Sequence, residues 1–110
     1  IHYSSAHKQT MSVLNIIREN EPKKVVFVTV AGRSNALSGV VACNSRYPVF
    51  ACPPFSDKSD MMVNINSTLQ MPSKVPVMVT LSPTNIALAI QRLFRINTFW
   101  GVRIRRSVFF

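Results

Sequence analysis

Apolar residues recur along this chain in alternating rhythms. Val13, Leu14, Ile16 and Ile17 fall at helical spacing behind Thr10, a residue able to cap a helix N-terminus. Asn20 and Pro22 end that segment, because proline disfavours helix in the residue before it. Lys24 to Val30 (KVVFVTV) is β-branched and apolar without alternation, the pattern of a strand buried on both faces. Ala31-Gly32 then turns the chain, and residues 35–43 read as a short helix packed near that turn. Pro48 to Ala51 is a second short apolar strand, stopped by Cys52-Pro53-Pro54. Between 56 and 70, Met61, Met62, Ile65 and Leu69 predict a helix with an apolar face, closed by Pro72, and the methionines read as core. Val75 to Leu81 predicts a third continuous apolar strand despite Pro76. Ser82-Pro83 fits an N-cap followed by proline in the first helical turn. Ile86, Ile90, Leu93 and Phe94 complete a stripe at i, i+4, i+7 and i+8. Residues 99–110 (FWGVRIRRSVFF) are basic and aromatic and read as the opening of a further helix.

Strands alternating with helices imply βαβ units, right-handed crossovers and a parallel sheet whose ligands bind at the carboxyl ends of the strands. The 110 residues suffice for one domain or a fragment of one, and 47% hydrophobic against 15% charged residues excludes a disordered chain. Ile1-His2-Tyr3-Ser4 reads as the tail of a strand already under way, with His2 a strand residue, so preceding sequence is expected to be missing. No signal-peptide pattern opens the chain, and no apolar run reaches the 18 or more residues of a membrane helix. Cys43 and Cys52 lie in apolar surroundings without a CxxC or Cys/His cluster, so they read as buried, reduced thiols of an intracellular protein and argue against a metal site.

The formal charge of +9 is unevenly spread. All four acids (Glu19, Glu21, Asp57, Asp60) lie in the first 60 residues, whereas Arg92, Arg95, Arg103, Arg105 and Arg106 crowd the end. Such a balance attracts phosphates, nucleic acid or anionic surfaces, and it equally describes an interface whose acidic partners lie in other sequence or another subunit.

Two short motifs carry the chemistry. Ser5-Ala6-His7-Lys8 and Ala31-Gly32-Arg33-Ser34-Asn35 each fall where a strand or its outgoing turn should end. The first brings a histidine able to move a proton near neutral pH beside a lysine; the second brings a glycine turn, an arginine and a hydroxyl. Together they describe a pocket for an anionic substrate whose reaction needs a proton shuttle.

With YPVFACPP (47–54) and the QMPSKVPV run (70–77) leading to TLSP (80–83), these motifs resemble, in order, the phosphoribosylaminoimidazole (AIR) carboxylase family of purine biosynthesis. The likeness covers nearly the whole chain. Lysine after the histidine, and AGRSN rather than a Gly-Gly-Ala-Ala-His turn, resemble the class II branch that carboxylates AIR directly with CO2, as in the carboxylase domain of animal bifunctional AIR carboxylase/SAICAR synthetase proteins. The resemblance implies a carbon–carbon lyase with a three-layer α/β sandwich and a flavodoxin-like parallel sheet. It also implies a cytoplasmic homo-octamer with pockets near subunit boundaries, and no metal, biotin or ATP, so cofactors are none. On this reading residues 1–110 are a single AIR carboxylase-like domain truncated at the N-terminus, where an N-terminal βα portion of roughly 30 or more residues is expected to be missing, and open to truncation at the C-terminus as well. That portion would hold the family's Gly-Ser-x-Ser-Asp loop. Other departures are Gln9-Thr10 for Gly-Pro, and Ala36 and Ser38 for glycines that let backbone approach ligand.

The site residues follow from the chemistry of AIR, whose ring carbon is enamine-like. Attack on CO2 leaves that carbon carrying a proton and the new carboxylate together. His7 is assigned the removal of that proton and its return in reverse, as the resemblance also implies; its bland reading is a packing or capping histidine. Ser5 and Lys8 are assigned to the substrate phosphate, with Lys8 as a solvated surface lysine the alternative. Ser34 is assigned to the CO2 or carboxylate end, with the backbone N–H groups around Gly32, Arg33 and Asn35. Arg33 serves that charge, contacts the phosphate or bridges subunits; Asn35 equally holds the turn.

Three hypotheses compete: direct carboxylation, the mutase branch acting on N5-carboxyaminoimidazole ribonucleotide, and a non-catalytic assembly module. The Lys8 motif disfavours the mutase. Missing upstream sequence, the altered glycines at Ala36 and Ser38 and high basic charge support the module. A nucleic-acid partner is disfavoured, because the arginine-rich tail lacks a recognisable binding motif and equally describes a subunit interface.

Overall fold

The computed structural model describes residues 1–99 and 106–109. Four helices and four strands alternate: α1 (Thr10–Asn20), β1 (Val25–Thr29), α2 (Ala36–Asn44), β2 (Val49–Ala51), α3 (Lys58–Leu69), β3 (Met78–Val79), α4 (Pro83–Phe99) and β4 (Arg106–Phe109), with a 3-10 turn at Glu21–Lys23. All pairings are parallel in the order β3-β2-β1-β4, with Phe27 opposite Val49 and Val108 and Phe50 opposite Met78.

β1 is the centre of the molecule. Its five residues are all buried, and alternate side chains feed two cores. Val25 and Phe27 pack with Val13, Ile17, Leu37 and Val41 beneath α1 and α2, while Val26 and Val28 pack with Phe50, Cys52, Ile86 and Ile90 against α4. The result is a three-layer α/β arrangement of the flavodoxin-like kind. An uninterrupted apolar run was the sequence signature of this strand, and burial on both faces is its cause. The sheet grows from β1 to β2 and β3, then β4 joins on the other side of β1. The carboxyl end of β1 therefore opens at a reversal of strand order, the place where α/β sheets bind ligands.

Several expected features differ. Gln9, not Thr10, occupies the α1 N-cap position, without a side-chain cap; the Thr10 hydroxyl donates back to the Ala6 carbonyl at 2.6 Å. The third strand shrinks to Met78–Val79, because Pro76 has no N–H to give a ladder and the strand forms an exposed sheet edge. Residues 106–109 form β4 rather than helix, since Val108 fills the α1/α2 core opposite Phe27; residues 100–105 and 110 of that expectation lie outside the described residues. Ile1 to Ser4 is irregular and touches the sheet through the His2 N–H, which donates to the Phe109 carbonyl at 2.9 Å. Cys43 is exposed on the last turn of α2, although Cys52 is buried. Met11, Met62 and Met78 are exposed rather than core.

The helix α3 departs most. Met62 (55% exposed) and Leu69 (60%) lie outside, and the buried positions are Asn64 (2%) and Thr68 (0%). Its inner face meets backbone that needs hydrogen-bond acceptors. At α4, by contrast, Ser82 caps as expected: its Oγ accepts from the Asn85 N–H at 3.3 Å, and Ile86 and Ile90 are buried. Among the described residues no helix is long and apolar enough to cross a membrane.

Candidate active site

The SAHK segment sits just ahead of α1 as a single turn. The Ser5 carbonyl accepts from the Gln9 N–H at 2.8 Å, the Gln9 Oε1 accepts from the Ser5 N–H at 3.2 Å, and the Ser5 Oγ accepts from the Lys8 N–H at 3.3 Å. These short-range bonds bury Ala6 and leave His7 exposed. The AGRSN segment leaves β1 differently. Arg33 adopts a left-handed φ of 56°, a conformation costing a non-glycine residue about 1–3 kcal/mol. It is held there from α3: the Arg33 N–H donates to Asn64 Oδ1, and Asn64 Nδ2 donates to the Pro54 carbonyl beyond β2. The Asn35 N–H donates to Ser67 Oγ at 2.7 Å. A Cβ at Gly32 would lie 3.3 Å from the Asn64 amide, close enough that the amide would have to shift by a few tenths of an ångström.

The two segments meet around a cavity of about 220 Å³ lined by Ser5, His7, Gly32 and Ser34, with Ala36 among the apolar lining. Of the residues expected from sequence, these four converge. Lys8 and Arg33 are exposed and do not line the cavity. Asn35 faces inward. Its Oδ1 accepts from the Ser38 N–H at 3.2 Å as the α2 cap, and its Nδ2 donates to Ser38 Oγ at 2.8 Å and Thr68 Oγ1 at 2.9 Å. Both the backbone and the side chain of Asn35 are thus committed to holding the turn, as is the Arg33 N–H. Among the described residues no protein group accepts from the N–H groups of Gly32 and Ser34, both of which line the cavity.

Sequence reasoning missed the layer beneath. Ser38 is fully buried and bonds Thr29 Oγ1 at 2.9 Å, so its hydroxyl is part of a network running from β1 through Asn35 to Thr68. Asn64, Ser67 and Thr68 were legible only as polar residues at i, i+3 and i+4 in a helix otherwise rich in methionine, valine, isoleucine and leucine. Ser4 also lines the cavity, its buried Oγ having no hydrogen-bond partner among the described residues. Nearby, burial pushes the Cys52 thiol above its ordinary pKa, which keeps it protonated and poorly nucleophilic near neutral pH.

A histidine and two backbone donors around one cavity can bind an anionic or polarised carbon centre and exchange a proton with it. A sequence profile of the family described as AIR carboxylase matches residues 1–99. The chain belongs to the AIR carboxylase family. It is 52% identical over 94 residues to the phosphoribosylaminoimidazole carboxylase of Archaeoglobus fulgidus, covering 86% of this chain and 52% of that protein. It is 35% identical over 109 residues to the human bifunctional phosphoribosylaminoimidazole carboxylase/phosphoribosylaminoimidazole succinocarboxamide synthetase, covering 96% of this chain and 25% of that one. The crystal structure of Treponema denticola PurE superposes with a TM-score of 0.78 at 39% identity, over 84% of this chain and 60% of that chain. The chain thus spans about half the length of the Archaeoglobus relative. Within the family-matched region lie both cavity motifs and all of α3, whereas β4 lies beyond it.

Proposed function

We propose that this chain carries out the direct carboxylation of 5-aminoimidazole ribonucleotide with CO2 to 4-carboxy-5-aminoimidazole ribonucleotide, as a single AIR carboxylase-like domain. The observation that carries this reading is the shared cavity of His7 with Gly32 and Ser34. The ring carbon of AIR attacks CO2, forming the new carbon–carbon bond. The Gly32 and Ser34 N–H groups and the Ser34 hydroxyl face the carboxylate as its charge develops, and preorganised dipoles of this kind favour that charge. His7 then takes the proton from the same carbon, restoring the aromatic ring, and returns it in the reverse direction.

Ser5 lines the cavity beside His7 and supplies a hydroxyl for the nucleotide phosphate, with exposed Lys8 adding charge at the rim. Arg33, also exposed, serves the same anion or a neighbouring subunit. A homo-octamer accords with the outward apolar side of α3, where Met62, Val63 and Leu69 are exposed. A fused SAICAR synthetase domain accords with the bifunctional relatives, and a cytoplasmic location with the free thiols of Cys43 and Cys52.

The test is to supply AIR with bicarbonate and no ATP, and in parallel the N5-carboxylated isomer, following carboxyaminoimidazole ribonucleotide by absorbance. Product from AIR above the uncatalysed background is expected. Product from the isomer alone would assign the mutase reaction, and product from neither would leave an assembly module.

A further inference from the structure

The inner face of α3 is polar where a helix present only for packing would be apolar. Its Met62 and Leu69 point outward while Asn64 and Thr68 are buried. Asn64 and Ser67 lie three residues apart on one helical face, the spacing that brings two side chains to a common neighbour. That neighbour is the β1 exit turn, where they accept from the Arg33 and Asn35 N–H groups. The residues between and before, Ser34 and Gly32, are the ones that line the cavity.

We propose that Asn64 and Ser67 are positioning residues of the candidate site: by holding Arg33 and Asn35 they aim the Gly32 and Ser34 donors into the cavity. Asn64 is itself fixed, because its Nδ2 is committed to the Pro54 carbonyl and its Oδ1 must then face Arg33. Its backbone carbonyl accepts from Thr68 Oγ1, which in turn accepts from Asn35 Nδ2, closing a ring of bonds around the turn. A left-handed arginine persists only where its surroundings over-determine it, and Asn64 supplies that constraint. Released, Arg33 relaxes to negative φ, the adjoining peptide groups rotate, and the donors at 32 and 34 lose their common aim. The catalytic consequence rests on the carboxylation reading above; the clamp itself does not.

The test uses the full chain with Asn64→Leu, Ser67→Ala and Ser67→Thr. Amide hydrogen exchange reads the clamp and steady-state kinetics with AIR and bicarbonate read its consequence. Asn64→Leu speeds exchange at Arg33, and Ser67→Ala at Asn35, each by about tenfold, the loss of one hydrogen bond. Both lower kcat by up to about 100-fold, as small misplacements of reacting groups do, with KM within about threefold. Ser67→Thr, which keeps the hydroxyl, restores exchange protection and kcat. Unchanged exchange at both amides, or kcat equal to the parent's with protection lost, overturns the proposal. If Asn64→Leu fails to fold, the two Ser67 variants decide it. If the parent chain itself turns over no AIR, the carboxylation reading falls, and the exchange rates alone decide whether α3 clamps the turn.

Discussion

Two turns meet at the cavity and are held in opposite ways. The SAHK turn is local: its hydrogen bonds link residues three or four apart, at the surface, and His7 sits on it in solvent. The AGRSN turn is held from a distance. Asn64, Ser67 and Thr68 reach it from residues 31 to 33 positions along the chain, largely out of water. The division suits the chemistry assigned to each. A proton carrier has to approach and leave the reacting carbon, whereas donors that stabilise a developing carboxylate work best when they do not reorganise. The turn held from α3 should therefore be costly to disturb, and the SAHK turn cheap to disturb everywhere except at His7.

Replacing His7 is the largest test of that contrast. His7→Asn should lower kcat by about 10²–10⁴-fold or more, with ligand binding still detectable and the thermal midpoint unchanged. Turnover near the parent's would remove His7 from the mechanism. On the other side of the cavity, Asn35→Ala removes the α2 cap and takes one hydrogen-bond partner each from Ser38 and Thr68. A loss of about 2–3 kcal/mol in denaturant unfolding is expected, with turnover falling as the turn loosens. An alanine variant as stable as the parent would break the comparison.

Lys8→Ala should raise KM for AIR several-fold, about 1 kcal/mol of affinity at an exposed charge, with kcat little changed. Unchanged KM would make Lys8 a solvated lysine. The smallest effect is expected at Gln9, whose Oε1 accepts from the Ser5 N–H at the surface. Gln9→Ala should alter stability by no more than about 0.5 kcal/mol, measured beside Asn35→Ala. A loss as large as that of Asn35→Ala would mean that the two turns are not held differently.

The same contrast explains what could be read from the residues alone. β1, α1, α4 with its Ser82 cap, and the meeting of His7 with Ser34 follow from periodicity, turn residues and the edge of a parallel sheet, all of which are local or topological. The side of α3 that faces inward was misjudged because Met61, Met62, Ile65 and Leu69 form a plausible apolar stripe, while Asn64 and Thr68 are buried only because the β1 exit turn needs acceptors. That need exists only once Arg33 and α3 are neighbours in space. β4 departs from the helical expectation for a similar reason. Val108 and Phe109 become strand residues by pairing with β1, some 80 positions earlier in the chain, and arginine-rich flanks give no local hint of it. Cys43 is exposed against expectation because an apolar neighbourhood in sequence does not say which side of α2 faces water.

The most direct test of the central claim follows labelled bicarbonate into the ring of AIR, with ATP absent, for the unaltered chain and for His7→Asn. Label is expected in the carboxylated nucleotide with the parent and is expected to be lost with the variant. Equal incorporation by both, or none above the uncatalysed rate with either, would contradict it.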